Sequence, residues 1–186
     1  SNNKGYRSLY RKNRVRVQQP WTSLHYEVKQ RRPQDPPMEV SGINNSLKTV
    51  HDAEFKIKKD VFEEMIAHCQ KELPYEACGL LSGCESLGST VWKLKNESSR
   101  LNRFQMSVEA IKDSVEKMEE KREKLLGIFH SHPNSPAIPS SHDIDNNPYT
   151  DLAYLIVSFY KGNIDVGCFK MVGKTASPLK LIIIDE

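Results

Sequence analysis

The sequence lacks any long hydrophobic run. It contains no stretch of eighteen consecutive apolar residues, and no apolar segment near the N-terminus follows a basic start. Because a membrane-spanning helix needs about 20 apolar residues, we expect neither a membrane span nor a secretory signal, and we expect a cytoplasmic protein. The hydrophobic and charged fractions, 38% and 27%, are those of an ordinary globular protein with one core domain.

Cysteine is also scarce. The 186 residues include four cysteines, at positions 69, 78, 84 and 168, with neither the spacing of a metal motif nor the density of a disulfide scaffold. We therefore predict reduced, mostly buried thiols. Cys78 and Cys84 flank a predicted strand, where buried packing explains both better than metal ligation.

Acidic residues are rare in the first quarter of the chain. The net charge is +3, yet residues 1–50 carry ten Lys and Arg against three Asp and Glu, with four prolines and little periodicity. We predict a basic N-terminal arm over residues 1–48 and a folded domain over residues 49–186. The arm could meet nucleic acid, an acidic membrane or an acidic protein, but a solvated, partly extended arm is the simpler interpretation. Its aromatic residues, Trp21 among them, indicate that part of it packs against something.

Beyond residue 49 the hydrophobic pattern becomes regular. EFKIK at 54–58 alternates like a strand, and apolar residues then recur at helical spacing from Phe62 to Cys69. Later segments predict further strands, and a charged helix whose apolar face includes Val108 and Met118. The pattern predicts a mixed α/β domain of about six strands and two main helices, with about 135 residues to bury a core.

The segment HSHPNSPAIPSSHD, residues 130–143, concentrates chemically active groups. A predicted buried strand ends at His130, and the two-residue period of a strand places His130 and His132 on the same side. Two imidazole nitrogens and the Asp143 carboxylate would form a zinc site with three protein ligands, which leaves a fourth position for water. Zinc is favoured by ligand type and open geometry, although the same donors could hold iron.

This segment resembles the signature of the JAMM or MPN-plus metallopeptidases. That signature reads His-x-His-Pro, five residues, Pro-Ser, two residues, Asp, with a glutamate upstream. Here the serine is Ser140, and the upstream acid fits Glu76 in PYEACGLLSG. The resemblance covers about residues 50 to 186, and the compact spacing looks most like the short prokaryotic members. It implies a cytidine-deaminase-like α/β sandwich of the MPN type, a mixed sheet with flanking helices, preceded here by the basic arm.

The resemblance also implies an activity. It implies a zinc-dependent peptidase or isopeptidase that cleaves after the C-terminal glycine of a ubiquitin-like or sulfur-carrier β-grasp protein. One zinc ion per chain would be held by His130, His132 and Asp143. Glu76 would take a proton from water and pass it to the leaving amine, and Ser140 would donate a hydrogen bond to the oxyanion. Ser140 could instead cap a helix, because Pro-Ser-x-x-Asp also reads as a helix start.

Other functions stay open at this point. A non-catalytic scaffold of the same fold is disfavoured, because such proteins typically lose ligands that this chain keeps. The basic arm suggests a nucleic-acid-associated protein, but we expect neither nucleic acid nor a membrane as the partner. We expect instead that the arm could bind a protein partner. His142 lies inside the signature but not at one of its fixed positions, so we expect it outside the metal ligands.

Overall fold

A computed structural model of the chain describes residues 14–17, 26–28, 54–146 and 151–185. The strands within this part of the chain are β1 (Val15–Val17), β2 (Tyr26–Val28), β3 (Glu54–Lys58), β4 (Cys78–Gly83), β5 (Leu87–Gly88), β6 (Thr90–Leu94), β7 (Lys124–His132), β8 (Ala153–Ser158), β9 (Ile164–Val172), β10 (Thr175–Pro178) and β11 (Lys180–Ile184). The helices are α1 (Lys59–Lys71), α2 (Val108–Glu120) and α3 (Ser141–Asp145), with a short 3-10 turn at Tyr160–Gly162. None of the described helices is long and apolar enough to cross a membrane.

The strands form two sheets. The larger has the order β2-β1-β9-β8-β7-β4-β6, with β10 also paired to β9. Its β7 and β8 run parallel, whereas its other pairs are antiparallel. The smaller sheet, β11-β3-β5, is parallel. The predicted mixed α/β architecture is therefore confirmed. The described residues contain eleven strands rather than about six. Four of them, β1, β2, β5 and β10, are too short to show a clear period.

Two hydrophobic clusters cover the opposite faces of the large sheet. Neighbouring residues such as Ile128 and Phe129 alternate between the clusters, as the pleat of a strand requires. The apolar face predicted for α1 is fully buried against one side, and the second cluster includes Met118 of α2. Val108, expected on the same buried face of α2, is instead 68% exposed and lines a cleft described below.

Part of the N-terminal arm belongs to the large sheet. Strand β1 pairs with β9 and buries Val15 and Val17. Between them Arg16 donates from Nε to the Asp165 carboxylate over 2.9 Å. The solvated arm expected from composition therefore contributes a packed strand. The boundary at residue 48 stays a prediction, because residues 29–53 and Trp21 lie outside the described part of the chain.

Strand β7 carries the two histidines of the signature. It extends to His132, two residues beyond the predicted end, and lies between β4 and β8. His130 pairs with Cys78 on one side and with Ile156 on the other. This central position leaves His130 fully buried and His132 5% exposed. The imidazoles are therefore held by a rigid sheet at the carboxyl end of β7.

Candidate metal centre and active site

Three donor atoms converge at the end of β7. The Nε2 atoms of His130 and His132 lie 2.9 Å apart. Oδ2 of Asp143 lies 3.4 Å from the first and 3.2 Å from the second. The structure therefore brings together the three residues that the sequence nominated as ligands. Such a set of two imidazoles and a carboxylate can hold a metal ion.

The hydrogen bonds of the histidines favour this use. Nδ1 of His132 lies 2.9 Å from the Pro136 carbonyl oxygen, which can only accept, so Nδ1 carries the proton and the neutral ring has its lone pair at Nε2. Burial lowers the pKa of His130, which favours its neutral form. Burial also opposes protonation of His132, but Asp143, the Pro136 carbonyl and the Glu76 charge together raise the pKa of that ring. A metal ion bound between the three atoms would use the lone pair at Nε2 of His132.

Asp143 is fixed by the start of α3. Its backbone N–H donates to the Ser140 hydroxyl over 3.1 Å, and its Oδ2 accepts from the Ser140 N–H over 2.9 Å. This reciprocal pair is a capping box, so Ser140 caps a helix, the alternative role that its sequence context allowed. Burial would raise the pKa of Asp143, but hydrogen bonds from the histidines and from the Ser140 N–H hold it well below its usual value. The Ser140 hydroxyl keeps a hydrogen to donate, and its oxyanion role stays a prediction.

Glu76 lies beside these donors at the entrance to β4. It is 7% exposed, and one donor atom from each of Glu76, His130 and His132 lies within 4.8 Å of the others. Burial, with a smaller contribution from the Asp143 charge, raises the pKa of Glu76 to about 7. His132 and Arg103 oppose that rise. A carboxyl group with such a pKa can both accept and release a proton near neutral pH.

Two clefts lie beside the site. One, of about 590 Å³, opens beside Asp143, and its lining includes Arg100, Arg103 and Val108. The other, of about 510 Å³, opens beside Glu76. The residues that line it are His68, Glu72, Tyr75, Glu76, Ala77, Lys93, Leu94, Lys95, Asn96 and Ser98. The carboxylates of the site therefore face different clefts.

The other candidate ligands considered from the sequence, His142, Cys78 and Cys84, are not among the converging donor atoms. His142 is exposed on α3, with Nδ1 3.0 Å from Nδ2 of Asn146. Cys78 is buried, as expected. The expectation that Cys84 is also buried is wrong, because Cys84 lies in the exposed turn after β4.

Three contributors to the site escaped the sequence analysis. Phe104 stacks on the His130 ring at 4.5 Å, with 23° between the planes. Asn96 and Ser131 hydrogen-bond the backbone next to Glu76. Phe104 and Asn96 belong to an aperiodic loop, where an aromatic residue among polar neighbours was the one available signal. Ser131 stands between the two histidines, and its identity alone does not reveal its partner.

The family described as prokaryotic homologs of the JAB domain matches residues 58–166, more than half of the chain. The chain belongs to the prokaryotic JAB family. The matched segment extends from the end of β3 into β9 and contains all five residues nominated from the sequence.

Two relatives with named activities and one solved structure are similar to this chain. The chain is 32% identical over 83 residues to a desampylase of Pyrococcus furiosus. The aligned residues cover 45% of this chain and 59% of the relative. The chain is also 32% identical over 108 residues to the CysO-cysteine peptidase of Mycobacterium tuberculosis. Here the aligned residues cover 55% of this chain and 71% of the relative. A solution structure of a Desulfitobacterium hafniense protein is similar, with 31% identity, a TM-score of 0.65, and coverage of 71% of this chain and 94% of that one. The chain thus spans less than two thirds of the desampylase.

Proposed function

We propose that this JAB-family protein is a zinc-dependent peptidase or isopeptidase. Its substrate would be the amide bond after the C-terminal glycine of a ubiquitin-like or sulfur-carrier β-grasp protein. The observation that carries the proposal is the convergence of three donor atoms at 2.9–3.4 Å beside the buried carboxyl group of Glu76. A cytoplasmic location, expected from the sequence, is part of the proposal.

The donor set fits zinc. Tetrahedral zinc with ligands at about 2.1 Å places those ligands roughly 3.4 Å from one another. The observed separations among Nε2 of His130, Nε2 of His132 and Oδ2 of Asp143 are close to that value. We assign these three residues as the ligands of one zinc ion per chain. Three protein ligands would leave a bound zinc ion one position for water or substrate.

We assign Glu76 as the general base. A bound zinc ion supplies a Lewis acid and lowers the pKa of a water molecule from about 15.7 to about 7. The Glu76 carboxylate accepts a proton from the attacking water and, as the acid, returns it to the leaving amine. Burial raises the pKa of Glu76 to about 7 before any metal binds, so this carboxyl group is able to take up a proton near neutral pH. The exposed Ser140 hydroxyl would donate its hydrogen to the oxygen that gains charge in the transition state.

The substrate class is inferred from the family and from the clefts. The relatives' names describe a desampylase and a peptidase acting on a protein linked to cysteine, in accord with cleavage at a modifier protein's C-terminus. The cleft beside Asp143 has room for an extended peptide tail. The cleft beside Glu76 would take the leaving group, because Glu76 must reach the departing amine.

The test is cleavage of defined substrates. Candidate ubiquitin-like proteins with a short peptide after the C-terminal glycine are incubated with the zinc-loaded protein, and intact mass identifies the cut bond. We expect release of the extension with the glycine as the new C-terminus. The matched control is Glu76→Gln at the same zinc content, which should be nearly inactive. The proposal is wrong if no candidate is cut, or if Glu76→Gln cuts at the wild-type rate.

A further inference from the structure

The peptide group between Glu76 and Ala77 is held by two side chains from separate parts of the chain. Nδ2 of Asn96 donates to the Glu76 carbonyl oxygen over 2.9 Å. The Ala77 N–H donates to the Ser131 hydroxyl over 2.8 Å. Both residues of this peptide precede β4, whose first residue is Cys78. Side chains therefore make the hydrogen bonds that a neighbouring strand would otherwise make.

Ser131 ties this peptide to the metal centre. It stands between His130 and His132, is fully buried, and also donates its own N–H to the Ala77 carbonyl over 3.0 Å. Because side chains alternate along β7, the hydroxyl points to the sheet face opposite the two imidazoles. The backbone that positions the imidazoles thereby also fixes the backbone that carries the Glu76 carboxyl group.

Asn96 ties the same peptide to the loop over the site. Its Nδ2 also donates to the Arg103 carbonyl over 3.0 Å, and its Oδ1 accepts from the Ser98 and Gln105 N–H groups. These four bonds satisfy the whole amide. They close the loop that carries Phe104 onto His130. An asparagine with all its bonds made inside the protein is a rigid connector.

We propose that Asn96 and Ser131 are positioning residues that clamp the Glu76–Ala77 peptide, so that the Glu76 carboxyl group faces the water to be activated. The inference rests on the proposed function, in which Glu76 moves the proton. A displacement of about 1 Å in a reacting group can cost about 100-fold in rate, so a loosened clamp should lower kcat. Neither residue offers a donor to the metal in this arrangement, so metal content should not change.

The experiment is a set of double-mutant cycles. Ser131→Ala and Asn96→Ala are made in the wild-type and the Glu76→Gln backgrounds, and kcat, KM and bound zinc are measured for each protein. In the wild-type background we expect kcat to fall about 10- to 100-fold with full zinc content. In the Glu76→Gln background we expect no further loss, because the effect passes through a carboxylate that is already gone.

Two further variants control for general damage. Ser82→Ala removes another fully buried hydroxyl at the opposite end of β4, where Ser82 donates to Glu123, and should leave kcat unchanged. Ser131→Thr keeps the accepting oxygen and should keep the wild-type kcat. This variant still tests the proposal if Ser131→Ala does not fold.

Several results would overturn the clamp. They are an unchanged kcat in both alanine variants, an equal loss of kcat in the two backgrounds, a loss of zinc from folded protein, or a Ser131→Thr protein as slow as Ser131→Ala. If the proposed function itself is wrong, the experiments give different results. In that case the wild-type protein does not cut, or Glu76→Gln alone cuts normally.

Discussion

Asp143 and Glu76 are both buried carboxyl groups, yet their surroundings favour opposite protonation behaviour. Asp143 accepts hydrogen bonds from its neighbours, which keep its pKa low and its charge present. Glu76 is desolvated, and its pKa rises to about 7. Residues with such different environments should fail differently when they are replaced.

Replacing Asp143 should empty the site. Asp143→Ala removes one of three proposed ligands, so we expect zinc affinity to fall steeply and both metal and activity to be lost. Metal analysis of the purified variant after dialysis measures this. His142→Ala, which changes an exposed side chain on the same short helix, is the matched control and should keep its zinc. An Asp143→Ala protein with one tightly bound zinc would remove Asp143 from the ligand set.

Replacing Glu76 should leave the metal in place. Glu76→Gln keeps the shape of the side chain but cannot accept a proton, so turnover should drop by roughly 10² to 10⁴ while about one zinc per chain is retained. Steady-state kinetics and metal analysis on one preparation provide both values. A Glu76→Gln protein without zinc would make Glu76 a ligand. A fully active one would place the general base elsewhere, with His142 as the first residue to test.

The cysteines should differ in reactivity. Burial raises the pKa of Cys78 to about 12 and raises the pKa values of Cys69 and Cys168 further, whereas Cys84 is exposed. Because the thiolate is the reactive form, an alkylating reagent should add one label to the native chain and four to the unfolded chain. Mass spectrometry counts the labels. Cys84→Ser should take none when native, and rapid labelling of Cys69 would contradict its buried position.

At this scale, local sequence nominates candidate metal ligands more readily than the residues that hold them in place. The two-residue period of a strand pairs His130 with His132, and Asp143 is nominated as the next carboxylate in the same short segment. Asn96 acts through backbone partners up to twenty positions away in the chain, and no local pattern encodes such a pairing. Which hydroxyl or amide reaches the backbone beside Glu76 is decided by tertiary packing.

Among the elements, the longer strands and α1 were predictable and the short strands were not. A strand such as β3 repeats its alternation often enough to be recognised, and the Phe62 to Cys69 spacing marks α1. Strand β1 has three residues, and one alternation of Val, Arg and Val occurs by chance in many loops. Its assignment depends on β9, which no sequence window around Arg16 contains.

Strand β1 should contribute stability but not metal binding. Deleting residues 1–45 uncovers one edge of β9, removes the buried Val15 and Val17, and takes Arg16 from Asp165. Each buried valine contributes about 1.5–3 kcal/mol, so we expect Tm to fall by roughly 6–24 °C with zinc content unchanged. Calorimetry and metal analysis test this.

The control for the deletion retains β1. A protein lacking residues 1–13 keeps the strand and separates its contribution from that of the preceding segment. If the longer deletion stayed folded but lost zinc, the division of the chain into an arm and a metal-binding domain would be wrong.

At the scale of the whole molecule, we expect the protein to select substrates with glycine immediately before the cut bond. If the tail lies extended in the cleft beside Asp143, the residue before the cut bond passes close to the protein backbone, where a side chain has little room. A substrate with that glycine changed to valine should be cut at least about 100-fold more slowly. Intact-mass time courses of the two substrates, with a valine placed well upstream as the control, measure the difference. Equal rates would contradict an extended tail.

The pairing of β1 with β9 also sets the order of events during synthesis. Residues 15–17 leave the ribosome first, but their partner, residues 164–172, follows about 150 positions later. At 5–20 residues per second the nascent β1 waits roughly 8–30 s before its partner exists. During that interval two valines destined for burial are exposed. Strand β1 can therefore join β9 only late in synthesis, although it is made about 150 positions earlier in the chain.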